Sequence, residues 1–272
     1  MRDDECIQFL QWALPQLRLR WPGFRKVRGQ VCKRISRRMA DLRVDEISAY
    51  RDYLGEHEDE WNVLDRLCQV TISRFYRDHQ MYRFLAGEVL PELARQVRRQ
   101  GGDELRIWSA GCGSGEEPFT ISLIWRMQMQ ADFPDLSLYL LATDSNPAMQ
   151  RRVADARYAY SSVKELPAGW RDTAFTRDEK HYCLKPEFRR AVRFRQQDVR
   201  QTVPAESFDL VLCRNLVFTY FDEDLQRSAL ERISAVIKPG GALVIGVHED
   251  LPEDVGGFGE WSARLRIYRK AD

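Results

Sequence analysis

The first hundred residues carry apolar side chains at helical spacing. Phe9, Trp12, Leu14 and Leu17, then Val27, Val31, Ile35, Met39 and Leu42, recur every three or four positions, the period of amphipathic helices. Trp21-Pro22-Gly23 and Leu54-Gly55 break the pattern where turns belong. This predicts a small all-helical N-terminal domain, residues 1–79 with its linker, whose arginines stand on the outer faces. A longer helix follows from Gln80 to Gln100, stopped by Gly101-Gly102.

Beyond that glycine pair, short β-rich runs alternate with helical stretches. Strands are predicted at Leu105–Ser109, Leu136–Thr143, Phe208–Cys213 and Gly241–Gly246, with helices at Glu116–Gln130, Pro147–Ala156 and Glu223–Val236. Such alternation predicts an α/β domain over 80–272, a doubly wound, Rossmann-like parallel sheet with helices on both faces. Tyr158 to Arg200 is too long for an ordinary connection and must hold structure of its own. Its second half suggests short strands, a small antiparallel β insertion at about 180–196. Ala263 to Tyr268 would add a closing strand.

With 44% hydrophobic and 31% charged residues in 272, the chain is globular, and disorder or fibrous architecture fits poorly. No apolar run approaches the roughly 18 residues of a membrane span, and the opening MRDDECIQF is too acidic for a signal peptide, so a cytoplasmic protein is expected. Cys6, Cys32, Cys68, Cys112, Cys183 and Cys213 lie far apart with no C-x-x-C pair. They read as free, mostly buried thiols, not as a zinc site or disulfide framework. The four histidines share no ligand spacing, and no metal is assigned.

Net charge is only +1, yet from Arg18 to Arg43 ten basic residues face one acid, Asp41. That local positive face suits an acidic protein, a nucleic acid or a membrane surface, or is simply a solvated helix face.

The most informative chemistry lies in Trp108-Ser109-Ala110-Gly111-Cys112-Gly113-Ser114-Gly115-Glu116-Glu117-Pro118, a glycine-rich turn between a strand and a helix. Glycines there let backbone approach a ligand closely. A dinucleotide site would turn its helix N-terminus to a pyrophosphate. Here two carboxylates, Glu116 and Glu117, occupy the first turn, and a cationic ligand fits better than a phosphate. Asp144 ends the second strand where a ribose is usually gripped, further from Gly115 than the roughly 20 residues of the dinucleotide fingerprint. Asp198, after the Val192-Arg193-Phe194 strand, falls where an adenine edge would lie. Each acid alone could be an ordinary strand-end or cap residue. Together they line the carboxyl ends of strands, and S-adenosylmethionine is the economical candidate.

At this point the chain resembles a known family. Thr71 to Asp78, Ile107 to Pro118, Ala142-Thr143-Asp144, Arg189 to Phe194, and Phe208 to Asn215 with Tyr220-Phe221-Asp222 look like the successive blocks of the CheR-type methyltransferases, the chemotaxis-receptor protein-glutamate O-methyltransferases. The blocks cover nearly the whole chain in order. The resemblance implies a methyltransferase sheet, S-adenosylmethionine as cofactor and S-adenosylhomocysteine as product. It also implies that Thr71, Ser73 and Arg77 reach over the methionine end, with Gly111 and Gly113 in the cofactor turn. Glu117 would hold the amino group, Asp144 the ribose, and Asp198 and Val199 would meet the adenine. Arg214 and Asn215 are implied beside the cofactor, and Tyr220 near the methyl group. The basic segment 18–43 would match the family's helical domain and Tyr182 to Phe194 its antiparallel insertion.

The chain also departs from the family. Thr71 replaces an asparagine, Arg74 stands where a small residue is usual, and Asn215 to Tyr220 is one residue longer, so Phe218 competes with Tyr220. The late motif reads Gly246-Val247-His248-Glu249, shifted and altered. A glutamate carboxylate, with a pKa near 4.3, is already ionised at neutral pH and requires no strong base. Arg77 and Tyr220 are therefore expected to orient it, as the catalytic pair. The expected acceptor is carboxylate-bearing, a chemoreceptor cytoplasmic helix being one that segment 18–43 would fit. The alternatives are a stand-alone relative acting on a small-molecule carboxylate or hydroxyl or on a non-chemotaxis protein, and a catalytically silent adaptor that binds the cofactor. A specific nucleic-acid partner is not expected: Asn146-Pro147-Ala148 does not supply the Asn/Asp-Pro-Pro-aromatic motif of base-flipping enzymes.

Overall fold

A computed structural model of the chain describes residues 2–253 and 256–271. Helices α1 (Asp3–Gln16), α2 (Trp21–Phe24), α3 (Arg28–Leu42), α4 (Ile47–Glu56) and α5 (Glu58–Cys68) open the chain, followed by α6 (His79–Phe84) and α7 (Leu90–Arg99). Then come β1 (Glu104–Ala110), α8 (Glu116–Ile124), β2 (Ser137–Asp144), α9 (Ala148–Asp155) and β3 (Arg157–Ala159). Next are α10 (Tyr160–Val163), α11 (Trp170–Ala174), β4 (Phe175–Asp178), β5 (His181–Leu184), α12 (Pro186–Arg189) and β6 (Val192–Gln196). The remainder is β7 (Phe208–Leu212), α13 (Val217–Tyr220), α14 (Glu223–Val236), β8 (Ile237–Val244), β9 (Phe258–Ser262) and β10 (Ile267–Lys270). The chain forms two compact units, one of residues 1–71 with 216–226, the other of 72–215 with 227–272.

In the second unit seven strands run in the order β6-β2-β1-β7-β8-β10-β9. All neighbours are parallel through β8, and β10 is antiparallel to both β8 and β9. This is the doubly wound α/β sheet the alternation predicts. The order reverses at β1, whose neighbours β2 and β7 lie on opposite sides, making the carboxyl end of β1 the switch point where such sheets bind ligands. Leu105 and Ile107 of β1 pack with Leu90, Leu93, Ala94 and Val97 of α7. Helix α8 is buried nearly all round: Ile121 and Ile124 join that cluster, while Phe119 and Leu123 join another with Phe75, Val153 and Tyr158.

The structure differs from the sequence reading in several details, among them the closing strand expected at 263–268, which begins only at Ile267. The helix expected at 80–100 carries a π turn at Leu85–Val89. Pro91 has no amide to continue the i→i−4 ladder, and the Leu90 amide donates instead to the Leu85 carbonyl. The antiparallel insertion is the sheet β3-β5-β4, spanning 157–184. Val192–Gln196 instead adds parallel to β2 at the edge of the main sheet; its short apolar alternation is the same for either setting. Finally, Cys6 and Cys32 are not free thiols but a disulfide joining α1 to α3, their Cα atoms 6.0 Å apart. Cys68, Cys112, Cys183 and Cys213 form no disulfide, and burial pushes the Cys68 thiol up to about 12.

The first unit is helical, and residues 216–226 are stitched into it. The Arg20 amide donates to the Tyr220 carbonyl at 2.8 Å and the Asp222 amide to the Arg18 carbonyl at 2.9 Å. Arg18 grips the Asp222 carboxylate with two nitrogens at 3.0 and 3.1 Å. Glu60, almost wholly buried, is held by Arg38 at 2.9 and 2.6 Å and by the Tyr50 hydroxyl at 2.8 Å. Gly23 permits the closest approach: a Cβ there would lie 2.3 Å from the Thr219 carbonyl oxygen. Gly23→Ala is therefore expected to destabilise this unit by about 1–3 kcal/mol, read as a lower urea midpoint with an unchanged slope; an unaltered midpoint would show that the contact yields freely.

Candidate active site

Strand register gathers the site. Ser109 of β1 pairs with Ala142 of β2 and with Leu212 of β7, so Gly111, Asp144 and Arg214 each stand two residues beyond one row at the carboxyl edge. The amides of Gly111 and Cys112 both donate to the Thr143 carbonyl, at 2.8 and 2.9 Å, tying the glycine turn to the end of β2. Gly113, at φ 55°, donates its amide to Asp144 Oδ2 at 2.9 Å, and the Asn146 amide donates to Oδ1 at 2.9 Å. Each carboxylate oxygen keeps a lone pair for a further donor. Burial, with the nearby Asp198 charge, pushes the Asp144 carboxyl above the ordinary aspartate range against those two amides. Gly115 opens α8 at φ 93°, where a Cβ would also meet Phe119 at 2.9 Å, so a side chain there is excluded by conformation and by space.

Glu117 points from the first turn of α8 into a network. Its Oε1 accepts from the Ser109 hydroxyl at 2.8 Å and its Oε2 from Arg214 Nη1 at 3.0 Å. Arg214, its side chain only 3% exposed, also donates from Nη2 to Asp78 and from Nη1 to the Tyr82 hydroxyl, the latter at 3.2 Å. The terminal nitrogens of Arg214 are thus engaged by protein groups. Asp78, Tyr82 and Ser109 were not anticipated, because no sequence spacing marks a pair formed only in the fold. Glu116 faces elsewhere: its Oε1 accepts from the Ser162 hydroxyl at 2.9 Å. Burial raises its carboxyl above the usual glutamate range, with Ser162 and, to a lesser extent, Ser73 opposing. Burial, helped by the charges of Asp144, Glu117 and Glu116, lifts the Cys112 thiol well above its ordinary value, a sign that the turn lies in negative potential.

The segment 72–78 runs beside this turn. The Phe75 amide donates to the Ser162 carbonyl at 2.9 Å, and the Tyr76 amide to the Thr120 hydroxyl at 3.1 Å. Ser73 Cβ lies 4.0 Å from where a Gly113 Cβ would stand. Tyr76 and Asp78 both adopt left-handed backbone, at φ 58° and 64°, conformations that cost of order 1–3 kcal/mol each and persist where the surroundings enforce them. Between them Arg77 donates to the Ile72 carbonyl at 3.3 Å, and its guanidinium pairs with no carboxylate among the described residues.

The remaining expected residues are placed as follows. Asp198 accepts from the Arg200 amide at 2.9 Å and pairs with its guanidinium at 2.8 Å; Arg232 holds the Val199 and Arg200 carbonyls at 3.3 and 3.0 Å. Asn215, at φ 54°, donates its amide to Glu249 Oε2 at 2.8 Å. Ser73, Gly111, Gly113, Glu117, Asp144, Asp198 and Arg214 therefore share the carboxyl edge of the second unit. Thr71 and Tyr220 belong to the first unit, where the Tyr220 ring meets Phe24 edge-on at 5.0 Å. Phe218, the competing aromatic, is fully buried.

A doubly wound sheet whose glycine turn carries acids in place of phosphate ligands suits an S-adenosylmethionine-dependent methyltransferase. The comparisons agree: residues 71–266 match the family described as CheR methyltransferase, SAM binding domain, and the chain belongs to that family. It is 32% identical over 192 residues to a chemotaxis protein methyltransferase of Listeria monocytogenes, covering 70% of each. It is 30% identical over 243 residues to an uncharacterised 104.1 kDa protein of Rhodobacter capsulatus, covering 89% of this chain but only 25% of that protein. Among solved structures, the N-methyltransferase NodS of Bradyrhizobium japonicum, in complex with S-adenosyl-L-homocysteine, aligns over 71% of this chain and 98% of its own at 16% identity and a TM-score of 0.35.

Glu249 is a buried acid whose role no sequence spacing marks. Besides the Asn215 amide, its Oε2 accepts from the Gly246 amide at 2.6 Å, joining the loops after β7 and β8. Glu249→Ala orphans both donors and is expected to cost on the order of 2–6 kcal/mol, at about 1–3 kcal/mol per unsatisfied group. Chemical denaturation checks this, and a loss below about 0.5 kcal/mol would mean that water replaces the carboxylate fully.

Proposed function

We propose that this methyltransferase transfers the methyl group of S-adenosylmethionine to a glutamate carboxylate on a protein, with a chemoreceptor cytoplasmic helix as the acceptor. The residues fit the donor. Asp144 offers acceptor capacity to ribose hydroxyls, Glu117 a carboxylate to an ammonium, and Gly113 and Gly115 an open backbone turn. When bound, the cofactor supplies an electrophilic methyl on a sulfonium. The chain's own part is positioning: Glu117 and Asp144 orient the donor, while Ser73, Asp198 and Val199 bound its two ends. In-line alignment of the reacting groups supplies on the order of 7–11 kcal/mol as effective molarity.

The observation that carries the acceptor reading is the unpaired Arg77 guanidinium between two strained residues. A cation held in place yet denied a carboxylate of its own is suited to receive one from the acceptor. Methyl-labelled cofactor and a purified chemoreceptor cytoplasmic fragment test this directly: label that leaves as volatile methanol in mild base supports a carboxyl ester, and base-stable label overturns it. In the same assay Arg77→Ala should lower kcat about a hundredfold, in line with the loss of a charge-assisted bond of about 1.5–3 kcal/mol, while S-adenosylhomocysteine affinity changes less than about threefold.

The basic segment also supports a protein acceptor, on a narrower surface than its sequence offers. Arg18 is paired with Asp222, Arg28 with Asp3 and Arg38 with Glu60; Arg20 and Arg34 bind backbone carbonyls. Arg25, Lys26, Lys33, Arg37 and Arg43 are exposed. Lys33 and Arg37, four residues apart on α3, share a face. Their double reversal, Lys33→Glu with Arg37→Glu, should raise the acceptor KM about five- to tenfold at low salt and less at high salt. An unchanged KM would place recognition elsewhere.

A further inference from the structure

Within the second unit one guanidinium is shared between two carboxylates that the chain delivers from different directions. Arg214 follows β7, Glu117 lies on α8, and Asp78 ends the segment that carries Arg77. The side chains of Glu117 and Asp78 are only 12% and 26% exposed and that of Arg214 3%. Tyr82 lends a hydroxyl to the same nitrogen and its ring lies 5.4 Å beneath the guanidinium. Counted as formal charges, one arginine against two carboxylates leaves this enclosed group one negative charge in excess. In a poorly solvated place such an excess is costly unless a cation arrives.

We infer that Arg214 and Asp78 are positioning residues: Arg214 aims Glu117 at the ammonium of the methyl donor, and Asp78 locks the Arg77 segment onto the same guanidinium. This rests on the donor reading proposed above. Asp78 is held in left-handed backbone at φ 64°, and its ion pair with Arg214 is the interaction that offsets that strain. Its carbonyl also accepts from the Met81 amide at 2.8 Å, starting α6. Donor recognition and the placement of Arg77 thereby depend on one buried side chain. A lysine cannot replace it, because a single ammonium lacks the planar fork that meets two carboxylates at once.

The arrangement is tested by two ligands that differ only at the end it reads. S-adenosylhomocysteine carries the amino-acid end; 5′-methylthioadenosine keeps the nucleoside and the sulfur but has no ammonium. Calorimetry with Asp78→Asn and with Arg214→Lys should show S-adenosylhomocysteine binding weakened at least about tenfold, and 5′-methylthioadenosine binding changed less than about twofold. Equal losses for both ligands, or no loss for either, would overturn the inference. Asp78→Asn is nearly isosteric and the more exposed site, so it decides the matter if Arg214→Lys does not fold. Wild-type protein that binds neither ligand would instead refute the donor reading itself, an outcome visible before any variant is made.

Discussion

Parallel register is the constraint on which the rest of this protein depends. Because Ser109, Ala142 and Leu212 stand in one row across three adjacent strands, the residues two steps further on emerge together at the sheet edge. Side chains in a strand repeat with period two, so a slip by one residue in any of the three would turn its contribution to the opposite face. β6 extends the row, with Phe194 beside Ala142, and leads to Asp198. The apolar residues of these strands fix that register by filling the clusters against α7 and α8. Packing that contains no chemistry therefore determines where the chemistry lies.

What was legible in the sequence divides along the same line. Local periodicity located β1, β2, β7 and α14 to within one or two residues, because each is a self-contained apolar pattern. The glycine turn and Asp144 were legible for the same reason: they sit at fixed offsets from such patterns. Arg214 was legible as an arginine after a strand, but not what it holds. Its partners Glu117 and Asp78 lie 97 and 136 residues away along the chain, and no local pattern encodes such a pairing. The Cys6–Cys32 bond was hidden likewise, by a separation of 26 residues. The edge strand β6 was visible but misassigned, since a half-buried alternation does not say which sheet it joins.

Charge shows how far composition can mislead about a surface. Ten basic residues in a short segment suggest a continuous positive face. In the fold, five of the ten are bound to carboxylates or backbone carbonyls of the helical unit, where they maintain its architecture. Arg38 is the clearest example: without it, Glu60 would be a buried anion with only the Tyr50 hydroxyl beside it, a far costlier state than a solvated pair. The positive surface left for a partner is half of what the sequence count implies, and it is concentrated on the outward side of α3 and the turn before it.

The two adjacent acids of α8 show how neighbours in sequence acquire different chemistry. Consecutive helical residues diverge by about 100°, enough to send Glu116 toward Ser162 and Glu117 toward Arg214. Glu116 meets the Ser162 hydroxyl, and burial raises its carboxyl above the usual glutamate range against that bond and the Arg152 charge. Such a group is a hydrogen-bonding staple between α8 and the Ser162 region. Glu117 meets the Arg214 guanidinium at 3.0 Å and the Ser109 hydroxyl at 2.8 Å. Two adjacent acids at a helix start therefore enter two different networks. Through Arg214, Glu117 is linked to Asp78 and the segment that carries Arg77, whereas Glu116 is bonded to Ser162.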